Sequence, residues 1–283
     1  MHVRFQPMIR KKEGPKTEEQ NLPSSDMPFT PAHPAWLYPF RHLHKWKMSW
    51  TALLIGSMVP DLEYFIWLSP GAYNSHSLQG IFIFNLPMTF ILSFLWHHTL
   101  SAALLPRLYF LHSKVRIEKY DDFAFWIKKN LPVFLFSALI GICSHLLWDS
   151  FCHANGFMVH KIPFLLAFTE IGGSSIRNCY IVWYLSTLVG MIIMFKWLVD
   201  PIKLITKTAW KMFFAGAAFW GKILFVAGLI AIARVAAGLS WNWTRHLVII
   251  TMGSFFYAII IVCFWDQWVN KKNKNQRLSG KKY

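Results

Sequence analysis

Six stretches of this chain stay apolar for about the 20 residues that a helix needs to cross the hydrocarbon core of a bilayer. They run over 48–68, 81–105, 131–153, 179–199, 211–236 and 246–268. The pattern predicts an all-α fold, a polytopic membrane bundle of about six helical spans. The first span is the weakest, because Pro60, Asp61 and Glu63 interrupt it and proline removes a backbone donor from a helix interior. Between the third and fourth spans, 154–178 carries Gly156, Pro163 and the run Gly172, Gly173, Ser174, Ser175. It reads as a connector with a short apolar piece at 164–168.

Composition supports the membrane reading. The chain is 55% hydrophobic, 17% aromatic and only 15% charged, with a mean hydropathy of +0.35, too apolar for an ordinary soluble enzyme. A net charge of +16 would suit nucleic acid, yet the lysines and arginines sit in the tails and between apolar runs. That is the positive-inside distribution, and it makes membrane lipids, with no nucleic acid, the expected partners. Arg107, Lys114, Arg116, Lys119, Lys128 and Lys129 mark one cytoplasmic segment, and Lys196, Lys203, Lys207 and Lys211 another. Arg41, Lys45 and Lys47 before the first span and Lys271, Lys272, Lys274 and Arg277 after the last agree with them. The expectation is a multi-pass protein of the cytoplasmic (inner) membrane with both termini cytoplasmic.

Three parts are expected: a disordered leader over 1–26, an integral membrane helical domain over 27–270 and a basic cytoplasmic tail over 271–283. The leader has no apolar core of the kind a signal peptide carries. Four scattered cysteines without a CxxC pair point to neither a thiolate zinc site nor a disulfide framework.

The polar positions inside the apolar stretches carry the chemistry. His145, Asp149 and His153 follow at i, i+4 and i+8, which places them along one stripe of a helix. Ionisable groups at membrane depth pair, face a cavity or bind something. Counted from their span starts, Asp61 and His145 each lie about 20 Å in at 1.5 Å per residue. His76, in the outer segment, completes a possible convergence of Asp61, His76, His145 and Asp149. His nitrogens and carboxylate oxygens are zinc donors, and an i, i+4 pair supplies two ligands from one helix. Taken alone, each of these residues has a bland reading: a hydrogen-bonded His and Asp pair, an Asp61 cap, a loop His76. His33, between Pro31 and Pro34, is a further candidate ligand, although the six-span topology leaves it on the opposite side unless 28–47 re-enters the bundle. His97, His98, His42 and His44 read as interfacial, and Arg234 as a snorkelling side chain.

The stretches Met27 to Ala35, Ile55 to Phe65, Ser75 to Phe82 and Ser144 to His153 together resemble a bacterial membrane-protein family catalogued as domain of unknown function 4184. That resemblance implies an order of motifs and no activity. The same order is more distantly similar to membrane-bound metal-dependent hydrolases related to an SOS-induced inner-membrane protein, and to zinc-dependent phospholipase C. The similarity implies Asp61, His76, His145 and Asp149 as metal ligands, with His33 matching a ligand near the N-terminus and His153 replacing a later His. The chain departs from the soluble enzymes in lacking a further His-x-x-x-Glu and an N-terminal Trp ligand, so one or two zinc ions are expected rather than three.

These observations favour a membrane metal-dependent hydrolase acting on phosphoester or lipid-derived substrates, with a divalent metal, zinc, as cofactor and Glu63 or His153 as proton acceptor. The rivals are a transporter or ion-handling protein using the same residues, and a scaffold whose polar cluster only fixes packing. Serine catalysis lacks a Gly-x-Ser-x-Gly elbow, and no nucleotide-binding glycine loop is present.

Overall fold

The computed structural model describes residues 30–40, 48–70, 74–108, 122–199, 207–238 and 243–279. The expected leader, 1–26, lies outside the described residues. Five helices are long and apolar enough to cross a membrane: Leu78–Arg107, Phe123–Cys152, Asn178–Leu198, Phe214–Ala236 and His246–Asn273. Their outward faces are hydrophobic, with Phe82, Phe214, Phe225, Ile232 and Leu247 all exposed. An apolar exterior around polar interior groups is the arrangement that lipid permits.

The first predicted span is not a continuous helix. It consists of α1 (Trp50–Gly56), a single 3-10 turn (Val59–Asp61) and α2 (Leu62–Trp67). The break falls at Pro60, and α2 ends on Leu68 in the left-handed region at φ 48°. Irregular backbone at membrane depth needs partners from the protein. Here they come from two distant helices: the Tyr257 hydroxyl donates to the Ile66 carbonyl at 2.9 Å and Arg234 Nε to the Leu68 carbonyl at 3.2 Å. Arg234 is therefore a helix-end partner, not a snorkelling side chain.

The second span, α3 (Leu78–Arg107), contains two π turns, Ile81–Asn85 and Trp96–Leu100. In the second, His97 Nε2 lies 3.1 Å from the Thr51 hydroxyl and the ring packs on Phe123. That places His97 between three helices instead of in an interfacial belt. The third span, α4 (Phe123–Cys152), starts on an Asp122 cap and kinks at Asn130, two residues before Pro132. Close backbone approach joins α1 to α4. A Cβ on Gly56 would lie 2.7 Å from the Ala138 carbonyl, and one on Gly141 would run into the backbone of Leu53 and Ser57. Ser137 Oγ accepts from the Ser49 amide at 3.0 Å, closing the same seam.

The connector 154–178 is more structured than a plain loop. It holds α5 (Phe157–Lys161), α6 (Pro163–Leu166) and a two-stranded antiparallel hairpin, β1 (Phe168–Ile171) with β2 (Ser174–Arg177). Gly172 and Gly173 turn the hairpin at φ 59° and 81°, angles that suit a two-residue turn and that only glycine adopts freely. Helix α7 (Asn178–Leu198) follows, then α8 (Lys207–Ala236) and α9 (Trp243–Ser279). Helices α3, α8 and α9 share an apolar core of Ala103, Leu104, Phe219, Ile223, Ala258 and Val262. Helix α9 continues to Ser279, so most of the expected tail is helical.

Residues Thr30–Phe40 form a 3-10 segment, with Pro34 and Pro39 inside it. It packs along α7 and against α4. Gly190 admits Ala32, since a Cβ there would stand 3.0 Å from it, and Trp36 stacks on Trp148 with ring centroids 3.9 Å apart. The segment thus re-enters the bundle, which removes the topological objection to His33.

Candidate metal centre

The break in the first span is what turns Asp61 inward. Its carboxylate is 1% exposed and meets α4 at the turn that carries His145, also 1% exposed. One oxygen, Oδ2, accepts from the Thr30 hydroxyl at 2.6 Å; the other, Oδ1, points to the histidines. His145 Nδ1 donates to the Ser57 carbonyl at 2.8 Å, which orients the ring and leaves Nε2 facing the carboxylates. The α1–α4 seam therefore positions His145 as well as packing the helices.

His76 comes from the loop before α3, and three contacts hold that loop. Glu63 Oε2 accepts from the amides of Asn74 at 3.2 Å and Ser75 at 2.9 Å, and Asn85 Nδ2 donates to the Ser75 carbonyl at 2.7 Å. Asn85 closes the first π turn of α3, so the irregularity in that helix and the position of His76 are linked. The ring is oriented by Ser75 Oγ, 3.1 Å from Nδ1.

Four donor atoms converge. His76 Nε2 lies 3.5 Å from Asp61 Oδ1 and 3.3 Å from Asp149 Oδ2; His145 Nε2 lies 3.4 Å and 3.2 Å from the same two oxygens. Nitrogen and oxygen donors thus alternate around one point, and all four lie within 4.8 Å of one another. Two ligands about 2.0–2.1 Å from a tetrahedral ion stand about 3.3 Å apart, which is the spacing of those four edges. Among the described residues, Asp61 Oδ1, His145 Nε2 and both Asp149 oxygens are buried without a hydrogen-bond partner. Burying so many polar atoms unpaired is costly, and a cation among them removes the cost. Two carboxylates and two neutral imidazoles also match the charge of a divalent ion. The group could hold a metal ion.

His33 reaches this centre. Its ring stacks on His145 with centroids 3.8 Å apart, and its Nε2 lies 3.6 Å from Asp149 Oδ1, the oxygen turned away from the first four donors. Burial and the neighbouring His145 push the His33 ring down to about 4, which keeps it neutral. His76 goes the other way: burial favours its neutral form, but the Asp149 and Asp61 carboxylates beside Nε2 outweigh it and raise the ring to about 9.

The two expected proton acceptors differ. His153 Nδ1 donates to the Asp149 carbonyl at 3.0 Å, which leaves Nε2 as the basic nitrogen. The Glu63 carboxylate is turned to the amides of the His76 loop. Thr30, Ser57, Ser75 and Asn85 also shape the site and were not singled out by sequence. Ser57, toward His145, and Ser75, toward Asn85, act through backbone carbonyls, for which side-chain identity carries no signal, while Ser75 Oγ also meets the His76 ring.

No curated protein and no solved structure matches the chain. The family model described as Domain of unknown function (DUF4184) matches residues 27–264, a stretch that contains the whole centre, and the chain belongs to that family.

Proposed function

We propose that this protein is an integral-membrane metal-dependent hydrolase acting on phosphoesters, with lipid-derived substrates favoured by its surroundings. The observation that carries the reading is the convergence of the His76 and His145 Nε2 atoms with carboxylate oxygens of Asp61 and Asp149 inside an apolar bundle, where Asp61 Oδ1, His145 Nε2 and both Asp149 oxygens are buried without a hydrogen-bond partner. Mixed imidazole and carboxylate donors suit zinc. His33 Nε2, 3.6 Å from the second oxygen of Asp149, would add a further donor beside the four, in keeping with one zinc ion or two.

Held by Asp61, His76, His145 and Asp149, a divalent ion would lower the pKa of water and polarise a phosphoryl oxygen. The residues supply the rest. His153 Nε2 takes the proton of the attacking water, whose oxygen forms a bond to phosphorus as the ester P–O bond breaks. The proton then passes to the departing alcohol oxygen. His145, locked by Ser57, and His76, locked by Ser75, keep their donor nitrogens aimed at the centre throughout. In this reading the basic helix ends that carry Lys128, Lys129, Lys271 and Lys272 face the cytoplasm by the positive-inside rule, and the centre faces the outer leaflet.

Elemental analysis of the detergent-purified protein tests this. Stoichiometric zinc is expected in the wild type and its loss in His145→Ala and Asp149→Ala. Hydrolysis of bis(p-nitrophenyl) phosphate should stop with chelator and return with zinc. A folded wild-type protein without stoichiometric metal overturns the reading.

A further inference from the structure

Beside the metal centre lies a cavity of about 290 Å³ between α1, α2, α3 and α9. Its walls are apolar, formed by residues such as Val59, Leu62, Leu92 and Ile259. Val59 and Leu62 flank Asp61, so the same break that delivers the carboxylate to the centre also builds the cavity. One lining residue, Thr30, is polar, and its hydroxyl is spent on Asp61 Oδ2 at 2.6 Å. That hydrogen bond links the cavity wall to a donor residue of the centre. At the opposite side, the lining residues Met58 and Phe255 are 38% and 37% exposed, so the cavity opens onto the apolar outside of the bundle.

We infer that this cavity holds the hydrocarbon chain of a membrane phospholipid whose phosphate lies at the metal centre. The inference rests on the hydrolase reading for the phosphate and on the cavity alone for the chain. An opening toward lipid, an interior without free polar groups and one polar end, at Thr30 beside Asp61, together fit a single amphiphile entering laterally. A water-soluble phosphoester would leave these walls uncovered.

The test is photo-crosslinking in nanodiscs with lysophosphatidic acid carrying a diazirine near the end of its acyl chain. Labelling is expected to concentrate on 92–100 and 252–259, to fall at least fivefold in Ile259→Trp, which fills the cavity, and to stay unchanged in Ile232→Trp, which faces lipid. Metal content of Ile259→Trp should equal that of the wild type, showing that the fold is kept. Label spread evenly over lipid-facing residues, and equal in both variants, overturns the inference. In the zinc-loaded protein the probe should label the cavity several-fold more than its monoacylglycerol counterpart, and the difference should vanish with chelator. Cavity labelling that is focused but identical for the two probes retains the chain site and overturns the placement of phosphate at the metal. Crosslinking requires no turnover, so failure of the hydrolase reading and failure of the chain site give different results.

Discussion

His145 and Ser57 are joined across 88 residues of sequence by a hydrogen bond of 2.8 Å from the ring Nδ1 to a main-chain carbonyl. The carbonyl is available because α1 ends there, and it is within reach because Gly56 and Gly141 let the two backbones touch. Helix packing and ligand orientation are thus one contact. Interfaces of small residues give membrane helices this close approach.

Gly141→Ala tests the linkage. The added methyl meets the backbone of Leu53 and Ser57, which cannot move as a side chain end can. Overpacking of this kind costs roughly 1–3 kcal/mol. The seam should open, and zinc affinity should fall although no ligand has changed. Thermal unfolding of the purified protein, with and without chelator, should show a lower midpoint and a smaller stabilisation by zinc. An unchanged zinc affinity would separate the seam from the site.

Thr30→Val removes the donor to Asp61 Oδ2 and keeps the shape. The oxygen is then buried with one partner fewer, a penalty of roughly 1–3 kcal/mol. Losing an outer partner of a metal ligand typically lowers metal affinity about 10- to 100-fold. Chelator competition should show a loss in that range for Thr30→Val and near wild-type affinity for Thr30→Ser.

Much of this site was legible in the sequence, for physical reasons that end at identifiable places. His145 and Asp149 could be paired because helical spacing is fixed, and Asp61 could be set at their depth because residues convert to length along a helix. Pro60 announced the break in the first span but not its consequence. Five long helices stand where six spans were expected, and the broken one became the ligand-bearing wall. His33 was a candidate with a topological difficulty, since 3-10 backbone rich in proline has no hydropathy signature of entering a bilayer. Ser57 and Ser75 were invisible because carbonyls have no sequence. Gly172 and Gly173 marked a loop, yet short exposed strands such as Phe168–Ile171 lack the alternation that would have predicted the hairpin.

Metal binding should depend steeply on pH. In the metal-free protein His76 titrates at about 9, so it is protonated at neutral pH and the proton must leave when a metal binds. Apparent zinc affinity should therefore rise by about tenfold per pH unit for that one proton as pH increases toward 9, and fall on acidification. His33, at about 4, contributes no proton over this range. Without metal the sign is reversed: the raised pKa stabilises the fold fully below 6.5 and this stabilisation is lost as pH rises through about 9. Chelator competition across a pH series, run beside thermal unfolding of the metal-free protein, should show the two opposite trends. In His76→Gln both should flatten.

Glu63 has one role expected from sequence, that of proton acceptor, and another that its contacts give it. As a proton acceptor it would lose all function in Glu63→Gln while metal content stayed whole. The structure gives it another task, since Oε2 accepts from the Asn74 and Ser75 amides and so holds the loop that carries His76. An amide oxygen still accepts those bonds, though less strongly than a charged carboxylate. Glu63→Gln should then keep most of its turnover, with zinc affinity reduced severalfold. Glu63→Ala leaves both amides without the carboxylate and should lose zinc together with activity, and added zinc should restore part of each. His153→Gln should show the complementary behaviour, with full zinc content, turnover down by about 10²- to 10⁴-fold as for loss of a general base, and no rescue by metal. If Glu63→Gln instead binds zinc normally and does not turn over, the proton acceptor is Glu63 and the loop contact is secondary.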